Sequence, residues 1–212
     1  MGTNVILDIL GSMLIAGVLM LSIFRLQNSS TEDLYRGTGN LTAQTNLATI
    51  VQILETDFRR IGYCADWQKI PVPTESILSA DSISIRYLTD TDNNGIIDTM
   101  HYYFDPATDI SETPNPRDRY LYRVINGESP VDVNLGVTQF EMEFYNSLGT
   151  KLNFPIGDPR EIYSMQIDIS VEDVAAYDQK YQTIFWRQIR MAARNLFNRY
   201  RRMFKWVNYL SF

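Results

Sequence analysis

The chain has 212 residues, 45% of them hydrophobic and 12% aromatic, enough to bury a sizeable core and too apolar for a disordered chain. One cysteine and one histidine exclude an internal disulfide and a cluster of soft metal ligands. The net charge of −6 divides unevenly: residues through Gln179 carry −14 and those from Lys180 onward carry +8, so an acidic body precedes a basic tail.

From Val5 to Phe24 every residue is apolar or small except Asp8. A helix of that length rises roughly 30 Å, the thickness of a bilayer's hydrocarbon core, so residues 1–27 read as a membrane-spanning segment. No basic residue precedes the run and no small-residue cleavage site follows it, so the segment is expected to stay on the mature protein. A lone carboxylate in such a segment is costly, which makes Asp8 a functional candidate.

Residues 28–62 continue as an amphipathic helix. Leu47, Val51, Leu54, Phe58 and Ile61 recur at helical spacing and form one apolar stripe for packing on a sheet. Gly37 and Gly39 predict a bend or a melted turn between the two halves, and Gly62 predicts a C-terminal cap. Cys64 is expected to be a buried apolar residue.

Residues 63–190 read as antiparallel strands and turns. Ser82 to Leu88, Thr99 to Phe104, Arg119 to Ile125, Val137 to Tyr145 and Tyr163 to Val171 alternate apolar and polar residues, with Pro and Gly between them. The expected fold class is α+β, a long N-terminal helix packed on an antiparallel β-sheet.

The sharpest local motif lies between two of these strands. Asp90, Asp92, Asn94 and Asp98 occupy positions 1, 3, 5 and 9 of a loop, with Gly95 at position 6 and the Ile96 carbonyl at position 7, the oxygen pattern of a calcium-wrapping loop. Position 12 is His101, a poor ligand for a hard cation, so the shell needs a donor from elsewhere. The competing reading is an Asn94-Gly95 hairpin turn with solvated acids. No Gly-x-Ser-x-Gly turn and no nucleophile–base pair stands out, so a non-enzyme is expected.

Residues 191–212 form a basic aromatic tail, in which Arg199, Arg201 and Arg202 stand among Phe197, Tyr200, Phe204 and Trp206. Such a surface suits anionic lipid or an acidic partner subunit, and its alternative is a solvated helix or strand face that pairs with the acidic body. The acidic body repels phosphate, which argues against nucleic acid.

The apolar helix running on into an amphipathic one, followed by LETDFRRIGY, ISIRYLTDTDNNGIIDTMHYYF, YLYRVING, LGVTQFEMEFYNSLGTKL and a late ARNL, resembles the minor subunits of type IV pilus and type II secretion filaments, the W-type minor pilins and J-type minor pseudopilins. The run NVILD from Asn4 to Asp8 resembles the start of a mature pilin-like helix with Asp in the fifth place, although Thr3 stands where the family's leader ends in Gly. The resemblance implies a pilin-like fold and other pilin-like subunits as partners. It further implies a bacterial inner-membrane location with the globular part in the periplasm or in an extracellular filament, and a place in a tip complex that starts assembly. Within such a filament Asp8 is expected to neutralise a neighbouring subunit's N-terminal amine. The other function class left open is a membrane-tethered, calcium-dependent adhesin or binding protein, and a third is a tethered hydrolase using scattered carboxylates.

Overall fold

The computed structural model describes residues 2–108, 110–133, 136–173 and 181–191. A single helix, α1, runs from Gly2–Arg59. Its N-terminal part is long and apolar enough to cross a membrane: the most apolar stretch has a mean hydropathy of 2.3 and none of it is buried. Leu7, Ile9, Leu10, Ile15, Leu19 and Met20, which at 100° per residue lie around all sides of the helix, are each more than half exposed.

The same helix becomes a core element further along. Ala43, Leu47, Ile50, Leu54 and Phe58 are buried, at steps of three and four that keep them on one face, and Ile61 extends the buried stripe in the turn after the helix. Val51, expected in this stripe, is only half-buried at its flank, and Ile50 takes its place. Both positions satisfy helical spacing with Leu47 and Leu54, and only the position of the sheets decides between them.

No melted turn interrupts α1 at Gly37 and Gly39, which both lie within its continuous run. Gly37 has open space around it, whereas a Cβ at Gly39 would lie 2.5 Å from Asp173 Oδ2. Gly39 therefore serves close approach of a side chain to the helix, and the continuous helical hydrogen bonding absorbs the weak propensity of both glycines. The helix stops at Arg59 and is followed by tight turns, Arg60 N–H to Asp57 O and Tyr63 N–H to Arg60 O. Gly62 sits at φ +71 and donates its N–H to the Leu88 carbonyl, tying the helix end to a strand instead of closing back on the helix.

Among the described residues eight strands follow, in two antiparallel sheets where one was expected. The first has the order β1 (Ile77–Asp81), β2 (Ser84–Thr89), β3 (Asp98–Asp105), β4 (Tyr120–Ile125) and β5 (Val131–Asp132). The second has the order β6 (Val137–Tyr145), β7 (Ser164–Glu172) and β8 (Thr183–Met191). Met142 N–H donates to Ser82 O and Arg119 N–H to Val137 O, which joins the two. β3 alternates buried and half-buried residues along its whole length, placing Met100, Tyr102 and Phe104 in the core.

Helix α1 lies on both sheets. The Phe58 ring meets Tyr87 of β2 and Tyr102 of β3 edge-on, at centroid distances of 5.9 and 5.2 Å. One residue earlier, Asp57 Oδ2 accepts from Tyr102 Oη at 2.6 Å and from Arg123 Nε of β4 at 2.7 Å. Asp57 and Arg123 are both largely buried, so Asp57→Ala is expected to destabilise the packed part by roughly 1–3 kcal/mol, read as a lower thermal transition.

β8 occupies the start of the basic region. Its Ile184 and Trp186 are half-buried while Phe185 and Arg187 face outward, and Arg187 makes a two-pronged bond to Asp168 of β7, at 2.7 and 3.0 Å. At this position the solvated strand face pairing with the acidic body is what the chain forms. Arg199, Arg201 and Arg202 lie outside the described residues.

Candidate functional site

The Asp90–Asp98 loop joins β2 to β3 and packs against the turns that leave α1. Asp90 is fully buried and organises it. Its Oδ2 accepts from Ala65 N–H at 3.0 Å and Gly95 N–H at 2.9 Å, with the buried Cys64 Sγ 3.9 Å away, and its Oδ1 accepts from Asn94 N–H at 3.1 Å. Burial pushes the Asp90 carboxyl up, but the backbone N–H groups of Ala65, Gly95, Asn93 and Asn94 outweigh it and hold the group below its ordinary range. The loop folds this way because Asn93 and Gly95 take positive φ, 65 and 79 degrees, which curls successive N–H groups inward.

Asp92 and Asn94 brace the outer side. Asp92 Oδ1 accepts from Asn94 N–H at 3.2 Å, Asp92 Oδ2 accepts from Asn94 Nδ2 at 2.7 Å, and Asn94 Oδ1 accepts from Ile96 N–H at 2.6 Å. The Asn94 carbonyl oxygen is thus turned to the backbone of Ile96, whose own side chain is exposed.

Asp98 closes the loop at the head of β3. Its Oδ2 accepts from the backbone N–H and hydroxyl of Thr91, and its Oδ1 accepts from Asn126 Nδ2 at 2.7 Å. Burial pushes this carboxyl up and the Thr91 and Asn126 donors bring it below its ordinary range, against some repulsion from Asp90. Carboxylate oxygens of Asp90, Asp92 and Asp98 all lie within 4.8 Å of one another. Oxygens held about 2.4 Å from one calcium ion are at most about twice that distance apart, so the three carboxylates fit a single hard cation. Asp90 Oδ2 and Asp98 Oδ2 already accept two hydrogen bonds each, whereas Asp98 Oδ1 and the two Asp92 oxygens accept one each and keep a second lone pair for such a ligand role.

His101 makes its contacts along the sheet: Nε2 lies 3.1 Å from Ser84 Oγ and the ring lies tilted against Tyr103 at a centroid distance of 4.9 Å. The surrounding shell was not legible in the motif. Lys69 Nζ reaches Gly95 O at 2.6 Å, Arg60 reaches Thr91 O at 2.6 Å, Tyr63 Oη bonds Asn93 Oδ1, and Asn126 bonds both Asp98 and Thr99 N–H. Only Asn126 left a signal, the Asn126-Gly127 pair that marks a tight turn after β4, with both residues at positive φ.

Asp8 stands apart from this loop, exposed on the apolar part of α1. No protein-family model matches the chain, and no curated protein or solved structure matches it at a significant level.

Proposed function

We propose that this chain is a pilin-like minor subunit of a type IV pilus or type II secretion filament, anchored in the bacterial inner membrane before assembly and acting in the complex that starts the filament. The observation that carries the reading is the division of α1: one uninterrupted helix is exposed and apolar on all sides through Phe24 and buried on one face from Ala43 onward. A helix apolar all round needs lipid or other helices about it, and a rigid continuation into the globular part lets one element serve both environments. The protein acts by packing, and no bond is made or broken.

Within that reading Asp8 pairs with the N-terminal amine of a neighbouring subunit in the apolar filament interior, where an unpaired charge is costly. Asp8→Ala is expected to leave the globular part folded and the chain membrane-inserted while sharply lowering co-purification with partner subunits. Normal incorporation of the variant would remove the pairing role.

The Asp90, Asp92 and Asp98 carboxylates are assigned to calcium, which stiffens the loop where the helix end meets β2 and β3. A ligand that binds only the folded state stabilises it by about 2.7 kcal/mol at a hundredfold excess over its dissociation constant. The full chain in detergent is expected to melt higher with millimolar calcium than with chelator, and Asp90→Ala combined with Asp92→Ala should reduce that gain. An identical gain in variant and unaltered chain would leave the loop as a turn only.

A further inference from the structure

Between α1 and the β5 edge of the first sheet lies an open groove of about 650 Å³, within the usual size of a ligand site. One wall is the helix around Ile53, the other is β5 with Val133, and Asp57 and Arg123 also line it. β5 ends the sheet, and among the described residues no strand pairs with its outer side.

Asp132 presents a free backbone edge. Val133 N–H donates to Leu121 O of β4 at 2.7 Å, and Asp132 stands opposite Tyr122. Backbone groups alternate in direction along a strand, so where the N–H of Val133 faces β4, the N–H and C=O of Asp132 face away from it. An edge of this kind can take an added strand.

Val131 lies opposite Arg123, whose guanidinium bonds Asp57 of the helix, so Val131 is on the sheet face turned to α1. It is nevertheless 60% exposed. A valine on the core face with that much open surface is an uncovered apolar position, and the half-buried Ile53 and buried Val133 continue it along the groove.

The polar groups of the groove fit an uncharged partner. Asp57 and Arg123 neutralise each other, with Asp57 Oδ2 accepting from both Tyr102 Oη and Arg123 Nε. Asp57 Oδ1 accepts from no donor among the described residues, and Arg123, which also has the Tyr102 hydroxyl beside it, carries N–H donors beyond Nε. An acceptor and a donor on one ion pair complement the N–H and C=O of a carboxamide, whereas a carboxylate would be repelled by Asp57 and an ammonium by Arg123. Asp132, paired with Tyr122, directs its own carboxylate to the opposite sheet face and offers the groove its backbone.

We propose that this groove docks an extended, uncharged peptide segment of another chain. The segment adds to the sheet at β5, sets an apolar side chain between Ile53 and Val131, and turns an Asn or Gln carboxamide to Asp57 and Arg123. The site belongs to the globular part and does not rest on what the apolar half of α1 packs against.

The test pans a phage-displayed random hexapeptide library against the full chain in detergent and measures the recovered sequences, as end-blocked peptides, by fluorescence anisotropy. They are expected to carry no net charge, to alternate apolar residues about an Asn or Gln, and to slow amide hydrogen exchange at Asp132. Asp132→Pro removes the outward N–H and spares the bonds to β4, and should weaken binding roughly fivefold or more. Val131→Asp places a charge on the apolar wall and should weaken it roughly tenfold or more. Both positions are exposed, so the thermal transition should stay at that of the unaltered chain. Failure to recover any binding peptide would overturn the proposal. So would peptides whose affinity survives both substitutions, since they bind elsewhere, and so would recovery of acidic peptides alone, which would make Arg123 an anion site.

Discussion

Phe58→Ala is expected to destabilise the globular part by about 3–5 kcal/mol, the usual range for emptying a fully buried aromatic site. Phe58 has no exposed surface, and its ring is held edge-on between Tyr87 and Tyr102, which are themselves fully buried. The surrounding strands are hydrogen-bonded in register, Tyr87 opposite Met100 and Tyr102 opposite Arg123, so they cannot collapse into the space. For a domain of this size each kcal/mol moves the thermal midpoint by roughly 2–4 °C, and the variant should melt on the order of 10 °C lower. Val51→Ala serves as the comparison. Its side chain is only half-buried, and its loss should be well under half as large.

Gly136→Ala carries the second large effect, of roughly 2–5 kcal/mol, from two additive causes. Gly136 sits at φ +84, where an L side chain costs roughly 1–2 kcal/mol. A Cβ there would also lie 2.4 Å from the backbone oxygen of Glu172, which cannot rotate aside as a side chain could. Glu172 N–H in turn donates to Gly136 O at 2.9 Å, so relief of the clash breaks the pairing that begins the β6–β7 ladder. Gly37→Ala is the control with opposite sign: its site is open and helical, and the change should stabilise by roughly 1 kcal/mol. Denaturant titration of the three chains in the same detergent reads both.

The apolar run of α1 and Gly39 mark where sequence reasoning succeeds and where it stops. Composition alone identifies the membrane-length apolar run, because hydrophobicity on all faces is a local property. The role of Gly39 was not legible, since it depends on Asp173, which reaches the helix only after the sheets have formed. The choice between Ile50 and Val51 for the buried stripe fails for the same reason. Strand alternation located β3, β6 and most of β7, whose pattern spans eight or nine residues. It missed β1 and the two-residue β5, which are short, and β8, whose Arg187 and Phe185 on the open face gave the segment the look of a basic tail.

At the acidic loop the spacing of Asp90, Asp92 and Asp98 was sufficient to bring the three carboxylates together, because all belong to one turn. Asn94 was expected to point inward as a ligand, and its oxygen instead accepts from Ile96 N–H. Ala65, Lys69 and Asn126 come to the loop from the helix exit and the β4 turn, and such long-range partners leave no periodic trace.

The central claim, that the exposed apolar half of α1 is built to pack against the helices of other subunits, is tested most directly by site-specific photo-crosslinking from Leu14 in native membranes. Leu14 is 72% exposed and lies in the middle of the apolar run. The account predicts cross-links to other chains with a single N-terminal apolar helix, lost when Asp8→Ala is introduced. Cross-links to lipid alone, unchanged by Asp8→Ala, would contradict it and leave the helix a simple membrane tether.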